Sequence, residues 1–134
     1  MEVLDLIFSD FAAANEAGKF TLVGAGFSRI TAPILPYIHP LMFVFIRFKI
    51  TIQDRGRNKV EIQFVGEKGP FFKAECDVNV SENHKEEEHL PLPLQIVNLK
   101  FDEPGPYNVE VRINGGAPKS HQLTIVHPVP SKAN

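Results

Sequence analysis

A chain of 134 residues with 43% hydrophobic and 22% charged residues has the size and composition of one globular domain with its own core. The formal net charge of −2 gives no electrostatic basis for binding nucleic acid or an anionic membrane. The single cysteine, Cys76, excludes an internal disulfide and favours a reducing compartment. Eleven prolines and nine glycines favour many turns over long helices.

The N-terminal residues 1–10 do not have the pattern of a signal peptide. Acidic side chains stand where basic ones are needed, and Asp5 interrupts the apolar run. The longest apolar run, residues 38–46, is interrupted by Pro40 and is too short to span a bilayer. We therefore expect a cytoplasmic protein without membrane association.

The first part of the chain predicts two strands with a less regular segment between them. Leu4, Leu6 and Phe8 alternate with other side chains well enough for a short first strand. Residues 11–18 predict either one helical turn closed by a glycine or a wide loop. Residues 19–27 carry apolar groups on both faces, which predicts a central strand.

Residues 31–40 contain three prolines, which exclude a helix or a central strand, and still carry several apolar side chains. These side chains are Ile34, Leu35, Tyr37 and Ile38. One interpretation is a crossover that covers an open end of a β-sandwich. The other is an exposed apolar patch that awaits a partner.

The longest predicted strand covers residues 41–53, and one of its faces is apolar throughout. That face consists of Met42, Val44, Ile46, Phe48, Ile50 and Ile52. The opposite face begins with Leu41, Phe43 and Phe45 and then becomes polar. Something must therefore cover the first half of this second face. The preceding loop, the N-terminal segment and a second subunit are the candidates.

The middle of the chain predicts a hairpin of two alternating strands. A turn at residues 54–58 leads into a strand at 59–65, and a second turn at 66–69 leads into the next strand. The inward positions are Val60, Ile62 and Phe64 in the first strand and Phe72, Ala74, Cys76, Val78 and Val80 in the second. Phe71 falls on the outward parity. Residues 81–89 predict a charged, mobile loop.

Residues 90–101 predict a strand at a sheet edge, because its prolines cannot donate to a ladder. The apolar positions change parity along this strand. Leu90, Leu92, Leu94 and Ile96 share one parity, and Val97, Leu99 and Phe101 share the other. This change predicts a bulge or a bend near Ile96.

The C-terminal part predicts a corner, a strand, a tight turn and a last strand. Two prolines around Gly105 interrupt any regular element, and residues 114–116 suit a hairpin turn. The inward positions are Tyr107, Val109, Val111 and Ile113, followed by Leu123 and Ile125 in the last strand. The spacing of Glu103, Gly105, Tyr107 and Val109 resembles the tyrosine corner of immunoglobulin-like sandwiches, where the hydroxyl bonds to nearby backbone. The alternative is an ordinary strand entered through a turn.

Several structural motifs resemble a family of small uncharacterised bacterial proteins. They are Asp10, residues 18–24, Pro33, Pro36, the Pro104-Gly105-Pro106-Tyr107 corner with Val109 and Val111, and Leu123 with Ile125. The resemblance implies a bacterial origin and a sandwich fold, and it implies no activity. We therefore predict an all-β, antiparallel, immunoglobulin-like β-sandwich of about seven to eight strands with little or no helix. Residues 1–127 form its one domain, and residues 128–134 form a flexible tail.

The residues that carry chemistry are few and scattered. His84 and His89, with Glu86 and Glu88 between them, are weak candidates for a divalent cation site, and a solvated acidic loop is the alternative. The chain has no G-x-S-x-G elbow, no C-x-x-C motif and no phosphate-binding glycine loop. We therefore expect no enzyme activity, no catalytic residue and no cofactor.

The function predicted from these patterns is a binding or structural module that associates with a protein partner or with a second copy of itself. The predicted interface residues are Ile34, Leu35, Tyr37, Ile38, Leu41, Phe43 and Phe45. The alternative is a sandwich that binds a small ligand or a divalent cation through the loop at 81–89.

Overall fold

A computed structural model describes residues 1–15 and 19–128, and most of these residues are in β-strands. This part of the chain contains one short 3-10 helix, Ile52–Asp54, and no α-helix. The strands are β1 (Glu2–Ser9), β2 (Phe11–Ala14), β3 (Phe20–Val23), β4 (Arg29–Thr31), β5 (Tyr37–Ile50), β6 (Gly56–Gly66), β7 (Gly69–Val80), β8 (Glu88–Phe101), β9 (Gly105–Ile113) and β10 (Lys119–Val126). The all-β prediction is confirmed. The count of eight was too low because β2 and β4 are short.

The strands form two facing sheets and a separate hairpin. The smaller sheet has the antiparallel order β1-β5-β8. The larger sheet has the order β4-β10-β9-β6-β7 and is curved like half a barrel; β4 pairs with β10 in parallel and the other pairs are antiparallel. Among the strands of the described chain, β2 and β3 pair only with each other.

One apolar core lies between the two sheets and follows the predicted two-residue alternation. From the smaller sheet it receives Met42, Val44, Ile46, Phe48 and Ile50, and from the larger one Val60, Ile62, Phe64, Val109, Val111, Leu123 and Ile125. Ile52 was also predicted to face inward, but it is exposed. The 3-10 helix begins there, so the alternation of β5 ends at Ile50.

The predicted corner before β9 has the expected hydrogen bond. The Tyr107 hydroxyl donates to the backbone carbonyl of Glu103 over 2.6 Å. At the other end of β9, Asn114 and Gly115 both have positive φ, as a tight hairpin turn requires. The corner and the turn therefore fix both ends of this central strand.

The segment at 11–27 differs from both of its predictions. Residues 11–14 form strand β2 rather than a helical turn or a loop, and residues 16–18 lie outside the described part of the chain. The prediction of a central strand at 19–27 was wrong, because the strand there, Phe20–Val23, pairs among the described strands only with β2. The strand ends where the backbone turns at Gly24 and Gly26 with φ of 62° and 90°. A Cβ atom at Gly24 would also collide with the Asp10 carboxylate, so a larger residue does not fit there.

Strand β1 contains a bulge that changes which residues face the core. Its register against β5 shifts between Val3 and Asp5. Val3, Leu6 and Phe8 are therefore buried, whereas Leu4 is only half-buried. The predicted strand is present, but Leu4 is not buried together with Leu6 and Phe8, whose alternation it was predicted to share.

The predicted change of parity in β8 occurs at Asn98, which has φ of 54°. Pro40 of β5 lies opposite, between the pairs His39–Leu99 and Leu41–Val97. The prediction that prolines keep residues 37–40 out of a central strand was therefore wrong. Pro40 lies beyond the part of β5 that pairs with β1, so its missing N–H breaks no ladder on that side.

Candidate interaction surface

The outer face of the smaller sheet is apolar over half of its length. Residues directly opposite each other on antiparallel strands share a face, so the register of β5 and β8 defines this surface. From one end to the other, the outward pairs are Phe45–Pro93, Phe43–Gln95, Leu41–Val97 and Ile38–Lys100. The step from Leu41 to Ile38 spans three residues because of the irregularity at Pro40.

The β2–β3 hairpin covers the first part of this face. The Phe20 ring lies 5.5 Å from the Phe45 ring, and the Phe11 ring meets Phe43 edge-on at the same distance between centroids. Phe43 is consequently buried, and Ser9 beside it is inaccessible to solvent. Of the three candidates for covering this face, the N-terminal segment is the one that does so.

The second part of the face has no cover within the described chain. Ile38 and Val97 are 54% and 56% exposed, and Leu41 between them is half-buried. Phe11 and its cross-strand partner Val23, at the base of the hairpin, are 47% and 54% exposed. We call these five residues the outer apolar surface. It contains four of the seven large exposed hydrophobic residues of the described chain, so their exposure is concentrated and not scattered.

The seven predicted interface residues do not form one surface. Leu35 and Tyr37 pack against the core, and Phe43 and Phe45 lie under the hairpin. Ile34 is exposed in the loop before β5. Ile38 and Leu41 are the two that belong to the outer apolar surface.

Sequence reasoning missed the other three members, Phe11, Val23 and Val97. Val97 was placed inward because the change of parity was located near Ile96. Asn98 was the available signal, since asparagine tolerates positive φ better than most residues do. No comparable signal marked Phe11 and Val23, because their exposure depends on where the hairpin packs.

The outer face of the larger sheet has the opposite character. Lys59 contacts Glu61 over 3.1 Å, and Lys73 contacts Glu75 over the same distance. The hydrogen bond to Glu61 and the charges of Glu75 and Glu61 raise the pKa of Lys59. Such a face is satisfied by its own neighbours and by water, so it gives no reason to expect a partner.

The model of a family of unknown function, DUF6941, matches residues 4–126. The chain belongs to this family. No curated protein matches it. The predicted membership of an uncharacterised family is thus confirmed, and the match extends over both sheets and the β2–β3 hairpin.

Within this DUF6941 fold, His39 lies at the margin of the outer apolar surface with its ring turned inward. The Tyr37 hydroxyl is 3.0 Å from His39 Nδ1, and Nε2 is buried without a hydrogen-bond partner among the described residues. Burial lowers the pKa of His39, although the Asp10 carboxylate and the Leu41 backbone oppose this effect. Burial therefore disfavours the charged form of this imidazole.

His121 occupies a corresponding position in the larger sheet of this family member. It pairs with Val109 across β10 and β9 and is half-buried. Burial lowers the pKa of His121, Lys119 lowers it further, and Asp5 raises it. Its Nε2 is also buried, again with no partner in the described part of the chain. Each sheet thus contains a half-buried histidine whose pKa is lowered by burial.

The weak cation candidates are only partly brought together. His84 Nδ1 lies 3.4 Å from a Glu88 carboxylate oxygen, while Arg55 donates to the His84 backbone carbonyl. His89 and Glu86 do not join this pair. In residues 1–15 and 19–128, no group of three or more His, Cys, Asp or Glu side chains is arranged to hold a metal ion.

The remaining reactive side chain, Cys76, lies on the inward parity of β7, as predicted, and is half-buried. Burial raises the pKa of its thiol, and the Asp77 carboxylate adds to this effect. A thiol held in its protonated form is a poor nucleophile.

No helix among the described residues is long and apolar enough to cross a membrane.

Proposed function

We propose that this chain is a non-enzymatic binding module that self-associates through the outer apolar surface. The observation that carries the proposal is the half-covered face of the smaller sheet. Its own hairpin buries Phe43, while Leu41, Val97 and Ile38 beyond it stay accessible. Burying such a contiguous patch is favourable at roughly 25 cal/mol per Å² of apolar surface.

The proposed partner is a second copy, because the surface has two complementary parts. Phe11 and Val23 are exposed at the base of the hairpin, and Leu41 and Val97 lie on the sheet next to Phe43, which Phe11 contacts. The hairpin already packs its aromatic rings on this same sheet within one chain. In a two-fold dimer, the hairpin base of each copy would contact the sheet surface of the other.

The same surface gives little support to a nucleic acid or a membrane as partner. Among the four outward pairs of β5 and β8, Lys100 is the basic residue. The acidic residue Asp10 is hydrogen-bonded through its backbone to Val23 of this surface. The formal net charge is −2. Binding to phosphate groups needs clustered basic side chains, so a protein surface is the better match.

The test is the mass of the chain in solution, measured by light scattering or sedimentation from about 10 to 500 µM, a range that covers micromolar dissociation constants. We expect a dimer that Val97→Glu converts to a monomer. Ile52→Glu is the matched control, since Ile52 is 52% exposed but lies in the 3-10 helix. A monomer over the whole range, or equal effects of both substitutions, would contradict the proposal.

We also propose that the two sheets form an immunoglobulin-like sandwich. With β5, β6, β8, β9 and β10 taken as strands B, C, E, F and G, the smaller sheet contains B and E and the larger one contains G, F and C with β7 added at its edge. The Tyr107 corner then lies between strands E and F, where such domains carry it. Backbone NOEs between β7 and β8 in solution would contradict this, because they would close a barrel.

The proposed location is the cytoplasm of a bacterium. Its support comes from the sequence: the single cysteine, Cys76, favours a reducing compartment, and the structural motifs resemble those of a family of bacterial proteins. Detection of the native protein in a periplasmic or secreted fraction of its source cells would contradict this proposal.

A further inference from the structure

A second site lies at the end of the molecule where β6 turns into β7 and β8 turns into β9. A cleft of about 80 Å³ opens there. Its lining consists of the 66–69 turn, Phe71, Lys100, the acidic corner at 102–103 and Tyr107. The loop at 81–89, where a ligand was considered from the sequence, lies at the opposite end of β6 and β7.

A β-bulge aims Phe71 into this cleft. Phe64 pairs with Phe72 and Val65 pairs with Pro70, so Phe71 has no partner on β6. Strict alternation predicts an outward Phe71, but the bulge turns it towards the end of the core. Bulges often redirect a side chain beside a functional site. The ring remains 42% exposed although it is in contact with other aromatic rings.

The Phe71 ring is held in place by the aromatic residues below it. It meets Phe101 and Tyr107 edge-on, with centroids 5.8 and 5.5 Å away. Tyr107 is itself fixed by its bond to Glu103 and by Gly66, where a Cβ would lie 2.9 Å from the tyrosine ring. The cleft therefore has an accessible aromatic wall that is ordered before any ligand binds.

The rim around this wall combines charges of both signs. Lys68 pairs with Glu103 over 3.2 Å, and Lys100 pairs with Asp102 over 3.6 Å, all four side chains being exposed. Glu67 adds a third carboxylate. The acidic groups disfavour an anionic ligand, and the two ammonium groups disfavour a metal cation. A purely apolar ligand would desolvate these charges without replacing their hydrogen bonds.

We infer that the cleft binds a neutral polyhydroxylated molecule, a monosaccharide or the terminal unit of a glycan. A sugar hydroxyl both donates and accepts, so adjacent ammonium and carboxylate groups can satisfy it with charge-assisted hydrogen bonds. The C–H face of the sugar ring packs on the negative face of an aromatic ring such as Phe71. This inference is independent of the proposed self-association.

The test is a titration of the ¹⁵N-labelled full chain with glucose, galactose, mannose, N-acetylglucosamine and myo-inositol, followed by amide chemical shifts. We expect at least one sugar to shift amides of residues 66–71 and 100–107, with a dissociation constant on the order of 1 mM. Phe71→Leu should weaken that binding at least about tenfold, because it removes the ring and keeps an apolar side chain.

Phe11→Leu is the matched control, since Phe11 is similarly exposed on the outer apolar surface, and it should leave sugar binding unchanged. If Phe71→Leu does not fold, Glu103→Gln on the exposed rim should still weaken binding while keeping the carbonyl that accepts from Tyr107. No shifts with any sugar up to about 50 mM would overturn the inference, as would equal shifts with phosphate. Unchanged affinity in Glu103→Gln and a folded Phe71→Leu would also overturn it.

Discussion

The two sheets bury their inner faces in the same way and differ in their outer faces. Central strand β5 presents Leu41 and Phe43 outward, whereas central strand β6 presents Lys59 and Glu61. The charged face needs no cover, because its side chains pair with one another and remain hydrated. The apolar face needs cover, and the chain supplies a hairpin for half of it. Two-residue alternation therefore identifies one buried face of each sheet, and the chemical character of the opposite face decides whether it needs cover by another element.

The β2–β3 hairpin divides the apolar residues on the outer face of the smaller sheet into covered and exposed ones. Phe43 and Phe45 are structural, because Phe11 and Phe20 contact them within the same chain. Leu41 and Val97 lie on the same face, one step further along β5 and β8, and lack such contacts from the hairpin rings. The boundary between the covered and the exposed residues is set by the length of the hairpin strands, which are four residues each.

The largest expected effect tests whether the outward side chains of the two central strands differ in their contribution to stability. One such side chain is removed from each strand. Phe43→Ala should lower the free energy of unfolding by about 3 kcal/mol, because it leaves a cavity between the sheet and the hairpin. Glu61→Ala, on the outer face of β6, should lower it by less than about 1 kcal/mol. Urea unfolding of both variants at low protein concentration measures the two effects. Similar losses would mean that the hairpin does not cover Phe43 in solution.

A smaller effect should distinguish the two tyrosines, of which each sheet contains one. Tyr107→Phe removes the 2.6 Å hydrogen bond to the Glu103 carbonyl and should cost about 1 kcal/mol. Tyr37→Phe removes the 3.0 Å bond to His39 and should cost less, since Tyr37 and His39 are only half-buried whereas Tyr107 is buried. Thermal and urea unfolding give both values. An inert Tyr107→Phe would show that the corner does not stabilise the entry into β9.

The smallest effect concerns pH and the two buried histidines, His39 and His121. Burial lowers both folded-state pKa values below the ordinary 6.5, so the unfolded chain binds protons first as the pH falls. Their contribution to stability is complete above pH 6.5 and is lost as the pH falls towards the folded-state pKa values. The urea midpoint should therefore decrease on going from pH 8 to pH 5.

Replacing each histidine by glutamine assigns this loss to one sheet or the other. We expect both variants to have a flatter pH profile than the parent chain. Proton NMR titration of the imidazole signals supplies the pKa values directly. A folded-state pKa above 6.5 for either histidine would reverse the predicted slope for that residue.

The fold was predictable where the alternation of apolar and polar residues agrees with the burial of the side chains. Val109, Val111, Leu123 and Ile125 alternate cleanly, and all four are buried. The corner was predictable because Glu103, Gly105 and Tyr107 have the spacing of a tyrosine corner. In such a corner the hydroxyl donates to a nearby backbone carbonyl, here that of Glu103. Residues 11–14 were not predictable, since Phe-Ala-Ala-Ala has no strand periodicity and pairs only because β3 folds back on it.

The candidate sites were less predictable than the core. Ile38 and Leu41 were predicted as interface residues because an apolar, proline-rich loop precedes a strand that is apolar on both faces. The face on which Val97 lies depends on the location of a bulge. Phe71 was missed because one unpaired residue in β7 reverses the face of its side chain. A one-residue shift in register cannot be recognised from the periodicity of the sequence, but it changes the face of the sheet on which each side chain lies.

By itself the sequence determined an all-β chain, the inner faces of its long strands and the turns between them. Two-residue alternation, proline and glycine act through neighbouring residues, so no tertiary contact is needed to recognise them. Only the tertiary structure decided that the N-terminal hairpin lies on Phe43 and Phe45, that Leu41 and Val97 stay exposed, and that Phe71 points into a cleft. These outcomes depend on contacts between strands far apart in the chain, where bulges and sheet packing set the final positions.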